Sequence, residues 1–119
     1  MKSSSAQATI VFHVLSDETR LRVARLLICS GLETTPGQLS RALDIPPSHL
    51  SRHLQLLQSA ELISFTKNGK SKKAKISNSD GHLGALYAAV MAMPDETGIF
   101  SGDMERLLKM MGHDQPELL

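Results

Sequence analysis

Apolar residues recur at helical spacing along most of this chain, and alternate only in its middle. Ala8, Val11, Phe12 and Leu15 fall at i, i+3, i+4 and i+7, predicting a first helix over 6–15. A second helix buries Leu21, Ala24, Leu27 and Ile28. It starts behind Ser16 as N-cap, runs to about Cys29, and stops at Gly31. Thr35, Pro36 and Gln38 carry the pattern of a capping box with proline at the first helical position, opening a short helix that ends near Leu43. Pro47 then opens a fourth helix, whose inner stripe is Leu50, Leu54 and Leu57. The alternating stretch runs from Leu62 to Lys67, and a second strand follows from Lys70 to Ser77. Asn68-Gly69 between them signals a type I′ hairpin that sets Phe65 opposite Lys72 and Ile63 opposite Ala74. Ile63, Phe65, Ala74 and Ile76 would then share the inner face. Helical spacing returns over 79–93 (Leu83, Leu86, Tyr87, Val90) and ends at Pro94. Ser101 is the expected cap of a last helix with Met104, Leu107, Leu108 and Met111 on one side, up to Gly112, before a loose tail over 113–119.

The polar positions carry the functional signal. The outer arc of the fourth helix holds Ser48, His49, Ser51, Arg52 and Gln55, and no acidic residue occurs between 45 and 60. An ordinary solvated face would be richer in Glu and Lys. Short hydroxyls, one Arg and one Gln can approach a surface closely and form directed bonds to base edges and phosphates. With the preceding short helix, Ala42 at the close approach and Ile45 as an inward plug, this is a helix-turn-helix pattern over about 36–60. The hairpin over 62–77 is a basic one, with Lys67, Lys70, Lys72, Lys73 and Lys75 in nine residues. Lysine often protects a strand edge, but five exceed that need. After a helix-turn-helix, such a hairpin is a wing laid along a phosphate backbone.

The net charge of +1 hides an uneven division. Between 36 and 75 lie seven Lys and Arg side chains against two acidic ones, and the remainder holds six against ten. A polyanion would dock on the middle. At 119 residues, 41% hydrophobic and 21% charged, the chain suits one globular domain. A single cysteine, Cys29, excludes an internal disulfide and fits a reducing compartment as a buried, inert thiol. No apolar run approaches membrane-spanning length and no secretory leader precedes the first helix, so the expected location is cytoplasmic, without a membrane partner. Ser-His-Asp order, paired catalytic carboxylates, a Gly-rich phosphate loop and HExxH are all absent from the sequence, which argues against an enzyme. His49 and His53 stand at i, i+4 without a third ligand. His53 fits the edge of the core with a ring nitrogen on backbone, and His49 the DNA side.

The order helix, helix, helix-turn-helix, basic hairpin, helix resembles the ArsR/SmtB family of winged helix-turn-helix transcriptional repressors. The local text agrees in Leu15-Ser16-Asp17-Glu18-Thr19-Arg20-Leu21-Arg22, in Leu39 through Leu43, and in Ser48 to Leu57 around Ser51-Arg52-His53-Leu54. Ala60-Glu61-Leu62-Ile63 is similar to the lead into the family's wing, where Gly at 61 would be commoner. The resemblance spans roughly 10–90. It implies a mainly α winged helix-turn-helix fold with a small β-hairpin, a homodimer joined by the first and fifth helices, double-stranded operator DNA as partner, and release by an effector. The stretches over 6–15, 79–93 and 101–111 are the expected dimerisation helices.

The effector is where the chain departs from that family. Thiophilic-metal sensors carry paired cysteines at the third helix, where this chain has Glu33-Thr34-Thr35-Pro36. A second family site uses Asp-x-His on the fifth helix with two further ligands. Asp80 and His82 match, Met93 stands where a His belongs, and Glu96 follows the helix-ending Pro94. No resident cofactor is expected, with weak zinc binding by Asp80, His82 and Glu96 as the residual possibility. Two rival readings remain. One is a winged protein-interaction module without DNA binding; the other is a small-molecule-binding domain using Met91, Met93, Met104, Met110 and Met111.

Overall fold

A computed structural model describes residues 4–77 and 81–112 of the 119-residue chain. The elements are α1 (Ser4–Leu15), α2 (Glu18–Ser30), α3 (Pro36–Leu43), α4 (Pro47–Ser59), β1 (Ile63–Asn68), β2 (Ser71–Ile76), α5 (Gly84–Ala92) and α6 (Ile99–Met110). The expected tail over 113–119 and Asp80 lie outside the described residues.

α2 is the hub. Val23, Ala24, Leu26 and Leu27 are all buried, and α1, α3, α4, α5, α6 and β2 all pack against it. The α4 stripe closes on this core as its spacing requires, with Leu50, Leu54 and Leu57 buried. The α3 start follows its sequence signal. Gln38 N–H donates to Thr35 Oγ1 at 3.1 Å, Thr35 N–H donates to Gln38 Oε1 at 2.9 Å, and Pro36 sits in the first turn. In α1 the buried residues are Val11, Val14 and Leu15, while Ala8 and Phe12, expected in the stripe, are exposed.

Three further expectations give way. Asp17, not Ser16, caps α2 by accepting from Arg20 N–H at 3.1 Å, because Ser16 Oγ instead donates to the His13 carbonyl at the end of α1. Ser101 lies inside α6 rather than at its start. The acceptor there is Asp95, which takes the Phe100 N–H at 3.0 Å and the Ser101 N–H at 2.9 Å from outside the helix. The hairpin register is displaced by two residues, pairing Phe65 with Ala74, Ile63 with Ile76 and Asn68 with Ser71. Gly69-Lys70 is therefore the two-residue loop, with positive φ at Gly69 and not at Lys70, so a turn demanding positive φ at both loop positions does not form. A shift of two preserves the inner face, and Ile63 and Ala74 are buried there as expected.

Thr34 adds a strand-like bridge that sequence periodicity did not reveal. It exchanges bonds of 2.9 and 2.8 Å with Ala74, so that β2 is held between β1 and the loop before α3. The Tyr87 hydroxyl donates to the Ser77 carbonyl at 2.7 Å and approaches the Leu62 carbonyl at 3.4 Å. It ties α5 to the wing base, and burial pushes its pKa up to about 12.

Both helices of the helix-turn-helix end in the same way. Asp44 N–H donates to Arg41 O and Ile45 N–H to Ser40 O after α3; Glu61 N–H donates to Gln58 O and Leu62 N–H to Leu57 O after α4. These are Schellman closures, which need a left-handed residue that is usually glycine. Here the positions are filled by Asp44 at φ 56° and Glu61 at φ 62°. Aspartate tolerates that region better than glutamate. Glu61→Gly should therefore stabilise the fold by about 1 kcal/mol. Urea unfolding checks it: the midpoint should rise with an unchanged slope.

Candidate nucleic-acid interface

Burial of Leu50, Leu54 and Leu57 turns the opposite side of α4 outward, and Ser48, His49, Ser51, Arg52 and Gln55 are all exposed there. The first turn of α4 has no side-chain cap and no acidic residue. Its positive helix end is left for an external anion, the arrangement in which helix N-termini contact phosphates. Ser40 Oγ donates to the Ile45 carbonyl and holds the α3–α4 turn closed.

His53 is half-buried at the seam between α4 and α2. Its partner differs from the backbone expected, because Arg20 Nη1 lies 3.0 Å from His53 Nδ1. A guanidinium only donates, so Nδ1 is the accepting atom in this contact. Asp17 Oδ2 at 3.7 Å from the same nitrogen is a neighbour rather than a bonded partner. Burial pushes the Asp17 carboxyl up, but the N–H groups of Arg20 and Thr19 and the charge of Arg20 outweigh it and hold the group below the usual range.

Lys67, Lys70, Lys72 and Lys73 are exposed on the wing. The strand period divides them. Lys67 and Lys72 form a cross-strand pair on the same side as Ile63 and Phe65, and Lys73 and Lys75 lie on the other. Lys72 Nζ sits 4.6 Å from the Phe65 ring centroid, a cation–π contact that props the side chain over the sheet. On the other side, Thr66 Oγ1 donates to Glu33 Oε1 at 2.9 Å, which brings a carboxylate to the face of Lys73 and Lys75. Among the described residues, the cationic side free of such a neighbour is therefore Lys67, Lys72 and the loop residue Lys70.

Of the metal candidates, the two described ones, His82 and Glu96, are not brought together within the protomer. His82 is exposed before α5, beside Gln7, Ala8 and Phe12 of α1. Glu96 is exposed beyond the other end of α5, near Asp17 and Glu18. Cys29, expected to be buried, is exposed, because it lies on the side of α2 that faces the open cavity beside α6.

A group of residues that sequence reasoning passed over holds this framework. Arg20 Nε donates to the Val14 carbonyl at 2.6 Å, Arg22 Nη2 to Leu43 O at 2.7 Å, and Arg25 Nη1 to Val90 O at 3.0 Å and Met93 O at 2.7 Å. Each arginine of α2 thus caps the C-terminal end of a different helix: α1, α3 or α5. Arg22 also binds the buried Asp103 through Nε at 3.0 Å and Nη2 at 2.7 Å, and that hydrogen-bonded carboxylate raises its pKa. Arg106 joins Asp103 at 3.0 Å and caps Ala42 O at 2.6 Å.

A family described as a helix-turn-helix domain matches residues 15–64. An uncharacterised HTH-type transcriptional regulator of Bacillus subtilis strain 168, YceK, is 34% identical over 73 residues, covering 60% of this chain and 73% of that protein. The chain belongs to the helix-turn-helix regulators of transcription. Among solved structures, HlyU from Vibrio cholerae N16961 superposes with a TM-score of 0.62 at 26% identity, over 76% of this chain and 90% of that one. Its reduced form gives 0.60 at 26% identity, over 72% and 83%. The regulator is accordingly a winged helix-turn-helix protein that binds DNA rather than an enzyme.

The interface predicts a division of labour. Arg52→Ala should cost about 1–3 kcal/mol on the preferred sequence and relax preference at one base pair. Lys67→Ala with Lys72→Ala should weaken binding to every sequence and flatten the log K against log salt slope by up to ~0.9 for each phosphate left unneutralised. Lys73→Ala with Lys75→Ala should flatten it less. Fluorescence anisotropy on matched and scrambled duplexes, from 50 to about 200 mM salt, separates these effects. A uniform loss over all sequences for Arg52→Ala would make that residue a phosphate contact.

Proposed function

We propose that the regulator is a homodimeric repressor that sits on a (pseudo)palindromic operator in the cytoplasm. Ser48, His49, Ser51, Arg52 and Gln55 would lie in the major groove, and the lysines of the wing on the flanking backbone. The carrying observation is the carboxylate-free outer face of α4, exposed in full and continued by a cationic hairpin. Arg suits guanine through O6 and N7, and Gln suits adenine. A mobility-shift assay with the DNA upstream of the chain's own gene tests this reading. Failure to shift that DNA better than a scrambled duplex would refute it as an operator.

Dimerisation through α1 and α5 accounts for apolar surface that the protomer leaves uncovered. Phe12 is 64% exposed, Met91 45% and Met93 51%. Phe12 and Met91 lie on the two helices for which the family resemblance implies a dimer seam, and Met93 caps the end of the second. A two-fold dimer places its recognition helices about one DNA turn apart, at about 34–36 Å. Phe12→Glu should leave the protomer folded, because the ring is exposed, yet shift the protein to monomer and weaken operator binding at least tenfold. Sedimentation equilibrium at micromolar concentration checks this. A folded wild-type monomer would remove the dimer from the proposal.

Zinc is not the effector in this reading. His82 and Glu96 stand beyond opposite ends of α5, a nine-residue helix about 13 Å long. Met93 supplies a poor zinc donor between them. Saturating zinc should change operator affinity by less than about tenfold, a coupling below ~1.4 kcal/mol. A larger change that vanishes with Asp80→Ala and His82→Ala together would restore metal sensing.

A further inference from the structure

α6 does more than finish the chain. It packs across α2 and α3, and beside α2 it closes one side of a cavity of about 490 Å³. That volume falls within the range of small-molecule sites, about 300–1,000 Å³. The walls are mostly apolar: Leu26 and Cys29 from α2, Phe100, Met104 and Leu108 from α6. Arg22 and Asp103 line it as well, but they satisfy each other.

Arg25 is different. Its Nη1 is occupied by the Val90 and Met93 carbonyls, and its guanidinium lies 4.5 Å from the Phe100 ring centroid. Its Nε and Nη2 groups have no hydrogen-bond partner among the described residues; Asp95 on the cavity wall feels its charge but lies beyond ion-pair distance. The other charges around the cavity are engaged. Asp95 accepts from the start of α6, and Glu105 lies 3.5 Å from Lys109. An apolar cavity with a single guanidinium edge uncommitted suits a ligand that is apolar over most of its length and anionic at one end.

We propose that the cavity between α2 and α6 binds a small organic acid with an apolar body and one carboxylate, and that its occupancy alters operator affinity. The carboxylate would bond to Arg25, with the body against Leu26, Met104 and Leu108. The coupling is structural. Arg25 caps α5, on the expected dimer seam, and Arg22 on the same helix caps α3, which leads into the recognition helix. Asp103 of α6 holds Arg22, so displacing α6 from α2 disturbs the contact that fixes the end of α3. The regulatory half of the proposal rests on the regulator binding DNA; the binding half does not.

The test is therefore run in two arms on the full chain, with 4-phenylbutanoate as probe and the uncharged 4-phenylbutan-1-ol as its control. Calorimetry without DNA should show millimolar or tighter binding of the acid and at least tenfold weaker binding of the alcohol. Arg25→Gln should erase that difference. Cys29→Trp fills the exposed rim of the cavity and should abolish binding of both, whereas Cys29→Ser should bind as wild type does, which separates cavity filling from thiol chemistry. In the second arm, the acid should change operator affinity at least threefold in wild type and in Cys29→Ser, and leave it unchanged in Cys29→Trp. No preference for the acid over the alcohol, or equal preference in wild type and Arg25→Gln, overturns the site. Selective binding with no effect on operator affinity overturns the coupling. Absence of any operator binding by the ligand-free wild type refutes the operator reading instead, and the calorimetric arm still decides the site.

Discussion

Three arginines of one helix hold the ends of three others. A helix C-terminus leaves its last carbonyls without intrahelical partners, and a buried end must find donors elsewhere. Arg20, Arg22 and Arg25 supply them to α1, α3 and α5, each through a charge-assisted bond to a main-chain oxygen. Such bonds are worth roughly 1.5–3 kcal/mol each, and the cation also complements the negative end of the helix. Successive side chains turn by about 100° on a helix. Arg20 therefore points away from Arg22 and Arg25, which share one face and reach different helix ends through the length of their side chains. Asp103 makes the Arg22 tie tolerable. A guanidinium 8% exposed would be costly alone, and a carboxylate 1% exposed more so, whereas together with Arg106 they form a paired set closed on α3.

The exposed face of α4 depends on that framework rather than on its own residues. The recognition helix has no side-chain cap to anchor its start. Its orientation comes from three buried leucines, from the His53–Arg20 contact, and from the turn that Ser40 closes onto Ile45. α3 in turn is pinned at its end by Arg22 and Arg106. The polar residues on the outside of α4 are consequently free of internal duties and can be chosen for what they contact.

How far the sequence revealed this follows from the range of each interaction. The stripe of α4, the short α3 with its Thr35–Gln38 capping box and the existence of the hairpin rest on local spacing, and all were legible. So was the exposed set Ser48, His49, Ser51, Arg52 and Gln55, since burying one face of a helix determines the other. The hairpin register was not, because a displacement of two leaves the alternation unchanged and the local Asn-Gly signal competes with Phe65 settling opposite Ala74. The arginine ties were invisible for a different reason. Their acceptors are backbone carbonyls, so the side chains of Val14, Leu43, Val90 and Met93 carry no trace of them. Asp103 was hidden among the apolar residues of α6, and its partner Arg22 lies 81 residues away.

Charge is arranged by the same framework. A protein with a formal net charge of +1 would be an unpromising polyanion binder if net charge mattered. At physiological salt the Debye length is about 8 Å, so a phosphate feels the nearest side chains and little of the remainder. The fold sorts the carboxylates accordingly. Asp17 and Asp95 are spent on helix starts, Asp103 on two arginines, and Glu105 on Lys109. Asp44, in the turn before α4, is held at that position by its left-handed backbone, outside the helix face that carries Arg52. Glu33 is the carboxylate that stays on the wing, on the face of Lys73 and Lys75, so the positive surface of Arg52, Lys67, Lys70 and Lys72 owes as much to the placement of the acids as to the lysines.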